Sequence, residues 1–487
     1  MIWLNAIDLD ITEASLNVAG EAVPVTVIEG DEHHVGFKVK KPISGEVQLS
    51  LSWTGDLREG MSDGVFVQQE GEDRYILTQF ESTDARRAFP CVDDPQFKLP
   101  WTLTLDVPED ITPFANTPVT SESVEAGRRV VAFATSKPMP SYLVAFAAGP
   151  FEAVDGGPAG RNDTPTRVLV PRGRSEHASW AAESTPMVLA TLEEYFDDAY
   201  PYEKLDTITI PQAVQFGAME HPGLITFTQS LVIALPEDDT ERRRRSLAEV
   251  QAHELGHQWF GNLVTPMWWD DIWLNESFAS WIATRAVETR WPEWSSGRDR
   301  IQSRNRAMNL DTLETARQIR EPIQEFDDIQ AAFDGITYSK GQAVLEMTEG
   351  WMGPDRFRSG VQAYMKEHAW GNATAEDFFA SLGSAAEVDV AGMLKTFVEQ
   401  PGVPVVTMTL DCEGQPTVVM SQRRFLASGQ TDESLWNIPV CLRYDDTRQC
   451  TLLSEREQRL ELDVASCPTH LVPNDQYRGY YYANVGP

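Results

Sequence analysis

The period of the hydrophobic pattern changes twice along this chain, and each change narrows the folds open to it. From the first residue to about 152, short runs such as VTVIEG, HVGFKV, VQLSLSW and WTLTLDV alternate apolar and polar side chains between Gly, Pro and Asp turns. A period of two sends successive side chains to opposite faces of a pleated strand, so this stretch reads as β-structure. From about Thr164 the spacing lengthens. ASWAAESTPMVLATLEEYFDD and RRRRSLAEVQAHELGHQWFGN place apolar residues three and four apart, as amphipathic helices do, and such patterning runs on through Phe378 to Phe397. A proline-bounded break, EQPGVPVV, then opens VVTMTL, PTVVMSQRRF, WNIPVCLRY and CTLLS, a return to strands. The expected fold is therefore multidomain α+β, with a β domain at 1–152, a mainly helical domain at 153–402 and a small β domain at 403–487. A length of 487 residues agrees with three units of ordinary size.

Composition excludes several function classes. Against 74 Asp and Glu stand only 40 Lys and Arg, a formal net charge of −34, which disfavours nucleic acid and anionic membranes as partners. Such a surface attracts cations, but it is first of all a solvated one. The five cysteines, an odd number, fit a reducing compartment better than a disulfide framework. Four of them, Cys412, Cys441, Cys450 and Cys467, lie in the last segment, where an exported protein would have room for one pair. The opening MIWLNAIDLDITEAS has neither a basic nor a long apolar region, so no signal peptide is visible. The longest apolar run, Leu143 to Gly149, is too short to span a bilayer. The expected location is cytoplasmic.

The chemistry is concentrated in HELGH, His253 to His257. On a helix, positions i and i+4 share one face, so these two imidazoles can bind one zinc at about 2.0–2.1 Å. Glu254, next to the first, can take a proton from a water that the metal activates. The pattern alone occurs by chance. Here it is followed by QWFGNLVTPMWWDDIWLNESFASW, whose second half is again helical in period, and Glu276 there can supply a third ligand. Three protein ligands leave the open position that a catalytic zinc requires. Asp270 and Asp271 read equally as carboxylates that orient a ligand histidine or as solvated loop acids. Trp259, Phe260, Trp268, Trp269 and Trp273 read as core, and the run Glu241 to Arg245 as a solvated helix face.

HELGHQWFGNLVT followed by WLNESFASW resembles the aminopeptidase N family of gluzincin metallopeptidases. TQFESTDARRAFPCVDDPQFK, GAMEHPGLITF and FDGITYSKGQAVL match the same family in order and approximate spacing. The resemblance implies a thermolysin-like zinc domain in the centre and a β-sandwich after residue 403. It implies His253, His257 and Glu276 as ligands of one zinc per chain and Glu254 as general base. It implies that Glu220 and Glu81 bind the α-amine of a peptide with a free N-terminus, that Gln79 lines the first side-chain pocket, and that Tyr338 donates to the tetrahedral oxyanion. Gly217, Ala218 and Met219 belong to the substrate site by the same likeness.

The chain also departs from the family. His221 stands where the motif usually has asparagine, which puts backbone contacts to the substrate in doubt and raises the prospect of a local pH sensitivity or a stray metal contact. Family members usually begin with further strands and continue into a large helical domain that roofs the site. Lacking these, the chain is expected to have a more open cleft, weaker selection against long peptides, or an association that covers the bared face. An epoxide hydrolase sharing the zinc site is disfavoured by Ala218 and by the segment after 403. An endopeptidase would use the same zinc site if the amine anchors failed in an open cleft. A non-catalytic scaffold of the same fold is opposed by the intact His253, Glu254, His257, Glu276 and Tyr338.

Overall fold

The computed structural model describes residues 1–212, 214, 216–294, 297–426, 428–429 and 433–486. It is a multidomain α+β chain whose contacts divide it into two compact units, one of 1–190 and 199–258, the other of 191–198 and 259–487.

The first unit carries the alternating strands that the sequence announces. Asp73–Gln79 pairs antiparallel with Gly64–Glu70, within a five-stranded sheet ordered Thr112–Ala115, Phe146–Gly149, Asp73–Gln79, Gly64–Glu70, Arg58–Glu59. A second five-stranded sheet is ordered Phe151–Ala159, Thr164–Pro171, Leu205–Ile210, Leu224–Thr228, Ala218–Met219. Its middle pairings are parallel, and helix α1 (Ser179–Phe196) lies in the connection between Thr164–Pro171 and Leu205–Ile210. Side chains of both sheets meet in one core, where Phe66, Tyr75, Leu77, Leu169, Ile208 and Leu224 are buried. Removing that much apolar surface from water is the main favourable term holding the unit together.

This second sheet corrects the sequence reading. Helical structure does not begin at Thr164; it begins at Ser179. Every residue of Leu205–Ile210 is buried. Its sequence, LDTITI, does alternate Ile208 and Ile210 with Thr207 and Thr209, so a short period-two signal is present there.

Two further helices complete the first unit, α2 (Gln229–Val232) and α3 (Glu241–Gly256). The second unit holds α4 (Ile272–Arg290), α5 (Gly297–Asp311), α6 (Phe326–Ala331), α7 (Gly341–Met352), α8 (Pro354–His368), α9 (Ala375–Ala385) and α10 (Val390–Val398). After them come a sheet ordered Glu457–Glu461, Thr417–Phe425, Val403–Asp411, Tyr482–Val485 and a hairpin of Ile438–Tyr444 with Thr447–Leu453. Around α4 the core is aromatic. Phe278 stacks on Phe260 at 3.9 Å between centroids, and Trp281 packs on Phe357 at 4.9 Å. Trp259, Phe260, Trp269 and Trp273 are buried as expected, while Trp268 is half-buried and donates to the Ile323 carbonyl at 3.1 Å.

The cysteines overturn the expectation drawn from their number. Cys412 is bonded to Cys467 and Cys441 to Cys450, with only Cys91 free, and buried. The second pair is a register effect: Cys441 and Cys450 face each other across the hairpin, Cα atoms 4.0 Å apart. An odd total hides this, because the unpaired thiol sits in the first unit. Among the described residues, no helix is long and apolar enough to cross a membrane.

Candidate metal centre

Helix α3 starts on a capped turn and ends in the HELGH motif. The Thr240 hydroxyl accepts from the Arg243 amide at 3.3 Å, and Glu241 in the first turn complements the positive helix end. The arginine run here is not merely solvated. Arg244 pairs with Asp239 at 2.5 Å, and Arg243 donates to the carbonyls of Ser230 and Ile233. In the middle of α3, buried Gln251 donates to Thr185 Oγ1 at 2.9 Å and accepts from Ser184 Oγ at 2.6 Å, both on α1. That fixes the rotation of α3, and with it the face that its last turn presents.

On that face the two imidazoles converge. Their Nε2 atoms lie 3.1 Å apart, with ring planes at 81°. Two lone pairs this close repel unless a proton or a cation lies between them, and the spacing suits two nitrogens sharing one ion at about 2.0–2.1 Å each. His257 and Glu254 are buried, and His253 is half-buried. The ligand atoms of Glu220, Glu254 and His257 lie within 4.8 Å of one another. Three ionisable groups so near, two of them acidic, stabilise a cation and would repel without one.

Glu220 reaches this cluster from the second sheet. Ala218–Met219 pairs with Leu224–Thr228, Ala218 opposite Phe227 and Met219 opposite Thr226, and Gly217 accepts from the Thr228 amide at 2.9 Å. Gln258 ties strand end to helix end. Its Nε2 donates to the Glu220 carbonyl at 2.9 Å and to the Glu254 carbonyl at 3.0 Å. Gln79, the last residue of Asp73–Gln79, is buried and donates to Met219 Sδ at 3.4 Å, so a contact 140 residues long in sequence joins two segments of the predicted pocket. Glu81 follows two residues later, half-buried.

His221 is fully buried, its Nδ1 3.2 Å from the Thr226 hydroxyl, and burial drives its pKa down to about 3. It is neutral at any ordinary pH, so the local pH sensitivity considered for it does not arise near neutrality.

In the second unit Glu276 is buried on α4. Tyr338 is half-buried on a single π-helical turn, Ile336–Lys340. Ser277, beside Glu276, donates to the Thr337 carbonyl of that turn at 2.7 Å. At Gly341 an added Cβ would lie 1.8 Å from Ser277 Oγ, so only glycine lets the turn sit this close to α4. Sequence reasoning missed Ser277, Gly341 and the buried Lys340–Asp311 ion pair at 2.9 Å. The motif SKG adjoining Tyr338 was the available signal. Asp271 is not a solvated loop acid: it is buried, pairs with Arg320 at 2.7 Å and accepts from the Ala375 amide at 2.9 Å.

Two imidazoles converging at the end of a helix, with buried carboxylates beside them, form a donor set of the kind that holds a metal ion. Residues 180–397 match the peptidase family M1 domain and residues 1–143 the peptidase M1 N-terminal domain. The chain belongs to peptidase family M1. It is 34% identical to aminopeptidase M1-B of Oryza sativa subsp. japonica over 95% of its own length and 53% of that protein's. It is 32% identical to aminopeptidase 2, mitochondrial, of Saccharomyces cerevisiae (99% and 51%) and 34% identical to aminopeptidase M1 of Arabidopsis thaliana (91% and 51%). The chain thus spans about half the length of the curated relatives it matches.

Proposed function

We propose that this chain is a zinc aminopeptidase that removes single residues from peptides with a free N-terminus. The observation that carries the reading is the packing of Glu220 and Glu254 with His257, whose ligand atoms lie within 4.8 Å of one another. One acid serves chemistry and the other recognition. His253, His257 and Glu276 hold one zinc ion per chain. That ion supplies Lewis-acid polarisation of the scissile carbonyl and makes a water acidic enough to lose its proton near neutral pH. Glu254 takes that proton on its carboxylate and later passes it to the leaving amine. The Tyr338 hydroxyl donates to the oxyanion as negative charge develops.

Glu220 and Glu81 bind the substrate's ammonium. Counting from the chain end follows from this pair, because a blocked peptide would leave two acids desolvated and unpaired. Gln79 and Met219 wall the first side-chain pocket, and Gly217 and Ala218 hold the substrate beside it. With the activity goes the architecture of the family: a β domain at 1–152, a thermolysin-like domain at 153–402 and a β-sandwich at 403–487. The matches at 1–143 and 180–397 support the first two.

The test is hydrolysis of a panel of aminoacyl-arylamides and their N-acetylated counterparts, with metal analysis before and after chelation. One zinc per chain with chelator-sensitive cleavage of free amines alone is the expected result. Equal cleavage of acetylated substrates would make the chain an endopeptidase, and absence of zinc would make it a scaffold.

A further inference from the structure

We propose that the second unit carries a binding site for a small oxyanion, of the phosphate or carboxylate type, built around Arg304. A cleft opens between α5, α7, the turn at Ser339 and the segment 476–478. Arg300, Arg304 and Arg478 line it, together with Ser303, Ser339 and one acid, Glu346. Three arginines around one cleft run against the composition of a chain with a net charge of −34.

The arginines are not all spoken for. Arg300 pairs with Glu346 at 2.9 Å and with Glu288 at 3.4 Å, and Arg478 pairs with Glu346 at 3.3 Å and Glu349 at 3.4 Å. Glu349 also binds Arg285 from behind. Counting this whole network, Arg285, Arg300 and Arg478 balance Glu288, Glu346 and Glu349. Among the described residues around the cleft, Arg304 is the cation left over. It donates to the carbonyls of Tyr477 and Gly479 and to Asn305 Oδ1 at 3.1 Å, all of them neutral acceptors.

One Nε–H points to what is missing. The Nε atoms of Arg300 and Arg478 face the carboxylates of Glu288 at 3.4 Å and Glu346 at 3.3 Å, whereas the buried Nε of Arg304 makes no hydrogen bond. A buried donor without an acceptor is costly, and this one, on the unbalanced guanidinium, is a donor that an acceptor group in the cleft can satisfy. Nearby, the Ser303 hydroxyl donates to that of Ser339 at 3.3 Å, which leaves the Ser339 proton as one more donor. An oxyanion matches this inventory. It has acceptor oxygens only, it neutralises the excess charge of Arg304, and guanidinium groups prefer it. The site shares no residue with the proposed zinc, amine or oxyanion groups, so it stands or falls apart from the aminopeptidase reading.

The experiment is calorimetric titration of the zinc-loaded protein with inorganic phosphate at fixed ionic strength, beside Arg304→Gln and Ser339→Ala. Saturable binding of one phosphate per chain, weakened about tenfold or more in Arg304→Gln and measurably in Ser339→Ala, is expected from the loss of a charge-assisted bond. Phosphate bound at the zinc would persist unchanged in both variants. No saturable binding, or binding that both folded variants retain in full, overturns the proposal. Should Arg304→Gln fail to fold, Ser339→Ala alone decides it.

Discussion

Glu254 lies in the last turn of α3 and His257, three residues on, is its C-cap with helical backbone angles, so their convergence is a local fact that the sequence discloses. Two expected outcomes follow for the chemistry. Glu254→Gln keeps the ligands intact, so zinc content should stay at one per chain while kcat falls by about 10²–10⁴. Tyr338→Phe should lower kcat by about 10²–10³ with little change in KM, because its hydrogen bond matters only as charge develops on the oxyanion. His221 shows what a sequence hides: the residue is plain to read, and its burial is not. Its folded pKa of about 3 lies below the ordinary 6.5. The unfolded chain therefore gains a proton below pH 6.5 that the native chain refuses. Stability from this group is full above pH 6.5 and is lost as pH falls toward 3, by up to about 1.4 kcal/mol per pH unit. Urea unfolding at pH 7, 5.5 and 4.5 should show a shallower acid limb in His221→Gln than in the parent; equal slopes would remove His221 as the source.

Among the elements, amphipathic helices and half-buried strands were legible because one face meets water. The strands Thr164–Pro171 and Leu205–Ile210 were less so: the apolar run Val168–Val170 is too short to separate a strand from a helix, and in Leu205–Ile210 the alternation covers only Thr207 to Ile210. The π-helical turn at Ile336–Lys340 was equally hidden, since it depends on partners distant in sequence. Asp311 accepts from Lys340, from the Gly402 amide at 2.7 Å and from the Tyr480 hydroxyl at 3.2 Å, while Ser277 grips the turn from α4. Gly341→Ala tests that grip. Its Cβ would meet Ser277 Oγ at 1.8 Å and Ser277 Cβ at 2.7 Å, so the turn or α4 must shift. Overpacking of this kind costs about 1–3 kcal/mol. We expect a lowered Tm and reduced kcat, partly recovered by adding Ser277→Ala, which removes the nearer clash. A double variant no better than the single one would place the fault elsewhere.

At the scale of the whole chain, charge and cysteine count pointed in different directions. The net charge of −34 argues against nucleic acid and anionic membranes as partners without reference to any structure. The cysteine count misled, because parity says nothing about where thiols meet. Cys412 and Cys467 are 55 residues apart in sequence and lie outside the strands, whereas Cys441 and Cys450, only 9 apart, meet as partners across a hairpin. In the chain-entropy view, closing these loops stabilises the fold by about 4 and about 3 kcal/mol respectively. Mass mapping of peptides from protein digested without reductant should recover both cross-links, with Cys91 alkylated only after unfolding. Reduction of the native protein should then lower its Tm, and Cys412→Ser should lower it more than Cys441→Ser because the longer loop is released. If four thiols react freely in folded protein and reductant leaves Tm unchanged, the segment is held by its sheet pairing alone, and the reducing-compartment reading of the sequence returns.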